Sequence, residues 1–189
     1  MAADITQNGA ESGADLVELE LEETLIPAKP EFRFIVQDNG RGMDKAELTR
    51  ALDPFVTDGI KHPGRKVGLG IPFLIQTASQ SGGGWDIRSV KAGSEEAGGK
   101  SPGTRSEAWF DLSNVDTPPV GDIPGLFRTV LLFAGPKEIV LKRKRRGGEK
   151  DLDYEIKKTE LADVLGDLED ASSLVLLGKY LRSLENDNE

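Results

Sequence analysis

From Leu16 to Leu25 polar and apolar residues alternate, with Val17, Leu19 and Leu21 set between Glu18, Glu20 and Glu22. A period of two sends successive side chains to opposite faces of a strand. The segment therefore predicts a strand with one apolar and one wet face. Pro27 and Pro30 break it, and Phe32, Phe34 and Val36 line one face of a second strand that ends at Asp38. Two acidic strands joined by a short proline-containing turn predict an antiparallel hairpin. A half-apolar sheet needs a second layer to cover it.

The rest of the chain supplies that layer. Asp4 to Gly13 reads as a short helix. Asn39 to Gly42 is a turn, and Asp44 can cap a helix running to about Leu52. Asp53 to Lys66 is irregular, interrupted by Pro54, Gly59, Pro63 and Gly64. Val67 to Ser81 is helical in pattern. Trp85 to Val90 and Thr104 to Leu112 read as strands, with both tryptophans, Trp85 and Trp109, assigned to the core; the loop Lys91 to Gly103 lies between them. Pro118 and Pro119 mark a boundary, which divides the chain into residues 1–116 and a C-terminal extension, 117–189. The extension reads as a helix (Ile123 to Ala134), a hairpin around Gly147-Gly148, and two closing helices (Leu161 to Leu168, Ser172 to Leu184). Lys142 to Arg146 lies on that hairpin and reads first as charge blunting an exposed sheet edge and second as a dock for an acidic partner.

Composition removes several functions. Among 189 residues there is no cysteine, which excludes a disulfide framework, thiolate metal sites and a cysteine nucleophile. One histidine, His62, cannot form a two-histidine metal site, and it reads first as a solvated loop residue and second as a phosphoacceptor. A formal net charge of -9 opposes nucleic-acid binding through the overall field. No run approaches the roughly 20 apolar residues that span a bilayer, and the expectation is a cytoplasmic protein.

Three motifs carry chemistry. In Asp38-Asn39-Gly40-Arg41-Gly42-Met43, an acidic residue closes a strand and glycines follow. An ionised Asp38 can accept from an exocyclic amine such as that of adenine, while Gly40 and Gly42 let the backbone approach a flat ligand. In Gly68-Leu69-Gly70-Ile71-Pro72, glycines opening a helix present N–H groups to phosphate, and Pro72 is harmless in the first turn. In Asp4-Ile5-Thr6-Gln7-Asn8, a spacing of four puts Asp4 and Asn8 on one helix face, where hard oxygen ligands suit Mg2+.

In order and spacing these motifs resemble the histidine-kinase-like (GHKL, Bergerat) ATPase superfamily, which includes sensor kinase catalytic domains, anti-sigma-factor kinases, MutL and gyrase B. Asp4 to Asn8 looks like its N box, Asp38 to Gly42 its first glycine box, Phe55 its F box, and Gly68 to Gly70 its second glycine box. Gly103-Thr104 resembles the Gly-Thr that closes the adenine pocket. Asp53-Pro54-Phe55, Lys66 to Pro72 and Leu112 to Asp122 further resemble stand-alone bacterial ATP-binding proteins. The genes of that group often lie beside those for iron-only hydrogenase and NADH-oxidising subunits.

The resemblance implies an α/β two-layer sandwich, a mixed and mainly antiparallel sheet with helices on one face, followed by the small C-terminal α+β extension. It implies ATP and Mg2+ as ligands, with Asn8 on the metal and Asp38 on the adenine amine. Gly40, Gly42 and Met43 would line the base, and Thr104 would sit beside Asp38. Gly68, Leu69 and Gly70 would cradle phosphates, with Phe55 and Lys66 from the lid segment. Asp4 stands where the superfamily usually has a catalytic Glu. Three functions follow as expectations: a regulatory module acting on a protein partner, with hydrogenase or NADH-oxidising subunits as candidates; an anti-sigma-type Ser/Thr kinase; and a slow ATPase.

Overall fold

The computed structural model describes residues 1–53, 70–94 and 101–185. The alternating segment is strand β1 (Leu16–Thr24), and it pairs antiparallel with β2 (Glu31–Asp38), Leu19 opposite Val36 and Leu21 opposite Phe34. β4 (Gly103–Asp111) pairs with the other side of β2, and β3 (Gly84–Val90) completes that end. On the far side of β1 lies β5 (Glu138–Arg146), parallel to it, followed by antiparallel β6 (Leu152–Lys157). The order is β3-β4-β2-β1-β5-β6 in one six-stranded sheet. One parallel pair among antiparallel neighbours makes it the mixed, mainly antiparallel sheet expected.

Pairing in register puts the odd-numbered positions of β1 and β5 and the even-numbered positions of β2 and β4 on one face. Val17, Leu19, Leu21, Phe34, Val36, Ala108, Ile139 and Leu141 are buried there. Against them pack α1 (Ala2–Glu11) through Ile5 and α3 (Gly70–Gln80) through Leu74 and Ala78. α4 (Ile123–Leu131) adds Phe127 and Leu131, and α6 (Ala171–Glu185) adds Leu177 and Leu181. The helix–hairpin–helix segment after residue 116 thus extends the same sheet and shares the same core. Each fully buried Leu or Phe contributes about 1.5–3 kcal/mol, so this shared face holds the two layers together. Two shorter helices, α2 (Lys45–Leu52) and α5 (Lys158–Leu165), bury no residue fully. The cap foreseen at Asp44 is a complete capping box: Asp44 Oδ1 accepts from the Glu47 N–H at 2.8 Å, and Glu47 Oε2 accepts from the Asp44 N–H at 3.0 Å.

Opposite-charge pairs lie across the other face of the sheet. Lys142 meets Glu18 at 2.8 Å and Lys144 meets Glu20 at 2.6 Å, while Glu107 lies between Arg33 and Arg105. Two sequence expectations are corrected here. β5 is an internal strand between β1 and β6, so its lysines neutralise the glutamates of β1 and do not guard an edge. Trp109 points to the charged face, with the Arg33 guanidinium 5.5 Å from its ring centroid. The even-numbered phase of β4 faces the core, and Trp109 is in the other phase.

Arg143 is out of phase with the basic side chains beside it and is buried on the helix side, at 1% exposure. Its guanidinium donates to Glu23 of β1, to Glu185 at the end of α6 and to the Lys144 carbonyl. Tyr154 of β6 donates to the same Glu185 oxygen at 2.5 Å. Burial first, and the carboxylate second, hold its hydroxyl well above the ordinary phenol value. The cluster ties three strands to the last helix. Arg143→Ala leaves two largely buried carboxylates without their cation, and such losses cost about 3–5 kcal/mol; Lys142→Ala on the wet face should cost under about 1 kcal/mol. Urea denaturation of the two variants checks the difference.

Candidate functional site

Asp38 closes β2 opposite Thr104 and is about nine-tenths buried. Burial raises its carboxyl above the ordinary value, and hydrogen bonds from the Gly40 backbone, Ser12 and the Thr104 backbone oppose that rise. Both close donors fall on one oxygen: the Gly40 N–H lies 2.9 Å and the Ser12 hydroxyl 3.1 Å from Oδ1. Oδ2 keeps acceptor capacity for a ligand. A buried carboxylate with acceptor capacity left is suited to a flat base bearing an exocyclic amine.

The glycines of the motif are required by their surroundings. A Cβ on Gly40 would lie 1.8 Å from Ser12 Oγ. Gly42 has φ +62°, a conformation that side chains disfavour, and a Cβ there would meet the Val90 carbonyl at 1.9 Å. The loop is pinned to β3 beyond it. The Met43 N–H donates to Ser89 Oγ at 2.7 Å, and the Ala92 N–H donates to the Arg41 carbonyl at 2.8 Å. Lys91 bridges both carboxylates of the capping box, Asp44 at 2.8 Å and Glu47 at 3.2 Å. Ser89 Oγ also lies 2.9 Å from Thr104 Oγ1, so the first glycine box and the late-strand threonine share one hydroxyl.

α1 joins this pocket to the helix that follows the second glycine box. Its buried side carries Ile5 and Gly9, and Gly9 packs on Asp38: a Cβ there would sit 3.3 Å from Asp38 Cβ. Asp4 and Asn8 lie exposed on another side, as their spacing predicts. Gly70, the first residue of α3, faces both, with a Cβ position 3.6 Å from Asp4 Cβ and 3.9 Å from Asn8 Nδ2. Pro72 falls in the first turn of α3, as expected. Asp4, Asn8 and Gly70 therefore form one group and Asp38, Gly40, Gly42, Met43 and Thr104 a second, with Gly9 at their junction. Phe55, Lys66, Gly68, Leu69 and His62 lie outside the described residues.

Among the described residues no cluster of three or more His, Cys, Asp or Glu side chains could hold a metal ion. Mg2+ does not require one, because it keeps water and phosphate oxygens as most of its ligands. Asn8 lies exposed beside Gly70, and its side-chain oxygen is of the donor type that Mg2+ takes. A separate apolar cavity of about 230 Å³, walled by Phe32, Phe34, Phe110, Pro118, Pro119 and Val120, opens toward the opposite end of β2 and shares no residue with either group.

Ser12 and Ser89 were not foreseen as site residues. Each acts through a contact far away in sequence, and only the alternation of β3, which places Ser89 level with Thr104, hinted at one of them. The buried charge has a cost that can be measured. Because the folded carboxyl of Asp38 is raised, it takes up a proton before the unfolded chain does. The empty fold therefore gains stability as pH falls through that carboxyl's own titration and loses it above. Asp38→Asn removes the buried charge, and the ligand-free protein should melt a few degrees higher at neutral pH, with the gain shrinking under acid conditions. Calorimetry across pH checks this.

The family model described as histidine kinase-, DNA gyrase B-, and HSP90-like ATPase matches residues 1–114. The match takes in α1, the hairpin, α3 and β4, the elements that carry both groups of site residues. No curated protein matches the chain. No described helix is long and apolar enough to cross a membrane. With well over half of its length inside the match, the chain belongs to the histidine kinase-, DNA gyrase B- and HSP90-like ATPase family, and residues 1–114 are its ATP-binding module.

Proposed function

We propose that the protein is a regulatory module that binds Mg-ATP and acts on a protein partner. The observation that carries the reading is the buried Asp38 carboxylate, its Oδ2 available to an adenine amine, joined by α1 to Asp4, Asn8 and the start of α3. In this reading Gly40, Gly42 and Met43 flank the base and Thr104 adds a hydroxyl beside Asp38. By the sequence resemblance, Gly68, Leu69 and Gly70 would bind phosphates together with Phe55 and Lys66. Asn8 would hold Mg2+, which would offset the charge of the phosphates. The sequence resemblance makes hydrogenase or NADH-oxidising subunits the first partners to test, in a cytoplasmic setting.

Catalysis is a secondary property in this account. Asp4 would orient the attacking water, but its carboxylate is one methylene shorter than the family's usual Glu. That places it about 1.5 Å farther away, and misplacement of about 1 Å can cost on the order of a hundredfold in rate. Transfer to Ser or Thr of a partner is the alternative enzymatic outcome. Incubating labelled ATP with the protein alone and with candidate partners separates sensing, hydrolysis and transfer.

Two outcomes are expected. ADP or ATP with Mg2+ at a hundredfold excess over Kd should stabilise the fold by about 2.7 kcal/mol, read as a higher Tm, and Asp38→Asn should weaken the shift strongly. Asp4→Glu should raise the ATP turnover rate at similar affinity, while Asp4→Ala should leave binding nearly intact. Rapid hydrolysis by the unmodified chain that Asp4→Ala fails to slow would remove Asp4 from the chemistry.

A further inference from the structure

We propose that Ser12 sets base selection at this site: its hydroxyl, bound to one oxygen of Asp38, keeps that carboxylate a fixed acceptor, so that the pocket takes a 6-amino purine and refuses a 6-oxo purine. The inference rests on the nucleotide reading above and assigns a positioning residue within it. Ser12 lies in the turn between α1 and β1, outside the motifs that mark the site.

Ser12 is joined to the first glycine box twice. Its carbonyl accepts from the Arg41 N–H at 3.2 Å, and its hydroxyl lies 3.1 Å from Asp38 Oδ1. The hydroxyl fills the space that Gly40 leaves open, since a Cβ there would be 1.8 Å away. A serine hydroxyl has one proton to give, and two acceptors stand near it, Asp38 Oδ1 and the Gly9 carbonyl at 2.7 Å. That carbonyl already accepts the backbone N–H of Ser12 at 3.1 Å. When Asp38 is ionised, the proton is worth more on the carboxylate, because charge-assisted bonds are about twice as strong as neutral ones. When Asp38 is protonated the hydroxyl can turn back to Gly9 and accept from the acid. Ser12 therefore supports both forms and favours the charged one.

The charged form selects the base. A carboxylate Oδ2 accepts from the amine at C6 of adenine, whereas the C6 carbonyl of hypoxanthine or guanine sets two acceptors face to face. A protonated Asp38 could donate to that carbonyl, and discrimination would fall. The groups that set the charge of Asp38 are burial, the Gly40 and Thr104 backbones and Ser12, and no charged side chain among the described residues contributes. Gly9 of α1 packs against it and Thr104 of β4 pairs with it. Loss of the hydroxyl leaves burial less opposed, and Oδ1 keeps a single donor.

The test compares the wild type with Ser12→Ala, Ser12→Thr and Asp38→Asn. ADP and IDP, which differ in the group at C6 and the proton at N1, are titrated by calorimetry at about pH 5.5 and about pH 8. The Asp38 carboxyl is followed by carbon-13 NMR in the ligand-free protein. The wild type should prefer ADP at both pH values. Ser12→Ala should lose about tenfold of that preference, more at the acid pH, and its Asp38 signal should titrate at higher pH than in the wild type. Ser12→Thr, which keeps the hydroxyl, should restore both. If Ser12→Ala does not fold, Ser12→Cys keeps the size with a weaker donor and should show the same two changes, smaller. An unchanged ADP preference and an unchanged Asp38 titration in a folded Ser12 variant, beside an Asp38→Asn protein that has lost the preference, overturn the role of Ser12 alone. If Asp38→Asn keeps the preference, the adenine reading fails first and this proposal with it.

Discussion

Helix α1 crosses the end of β2 at a glycine, and the spacing at that crossing governs the site. Asp38 Cβ lies 3.3 Å from where a Gly9 methyl would stand, a tight approach that a larger residue could keep only if its neighbours gave by a few tenths of an ångström. With the helix seated, Ile5 reaches the core and Asp4 and Asn8 are turned toward the first residue of α3. The same contact removes Asp38 from water while leaving it donors from Gly40 and Ser12. Gly9 thus brings the two groups of candidate residues close to one another. Burial raises the Asp38 carboxyl, and a group perturbed in this way inside a cleft is a candidate ligand contact.

The two faces of the sheet do different work. On the helix side, Leu19, Phe34 and Leu141 join residues that lie far apart in the chain into one core. On the other side, pairs such as Lys142 with Glu18 contribute little each, yet they allow nine acidic and basic positions along adjacent strands to lie side by side without repulsion. Arg143 departs from this division, and it is tolerated because Glu23, Glu185 and a backbone carbonyl meet its donors.

Local chemistry was legible in the sequence. The alternation of β1 and the prolines after it predict the hairpin, Asp44 predicts its cap, and the spacing of Asp4 and Asn8 predicts their common face, because each depends on residues a few positions apart. Asp38, Gly40 and Gly42 were legible for a similar reason: an acid at a strand end followed by glycines is a local pattern. The non-local features were not. That β5 lies internally beside β1 depends on a pairing that no short window contains, and the phase of Trp109 depends on which side of β4 the helices cover. Ser12 carries no motif at all. Its importance comes from Asp38, 26 residues later in the chain, folding back onto it.

The parallel pairing of β1 with β5 has a consequence for how the chain is made. Leu16 and Glu138 are partners in that ladder, so one of the central strands waits for a segment more than a hundred residues downstream. A growing chain that has released the ATP-binding module but not β5 presents β1 with one side unpaired. Bare strand edges of this kind invite pairing with other chains, and closure over so long a separation slows folding. The row of glutamates on β1 then has a second use. Until Lys142 and Lys144 arrive, Glu18, Glu20 and Glu22 give the nascent edge a negative charge that repels a second copy of itself. The later lysines cancel that charge only in the correct partner.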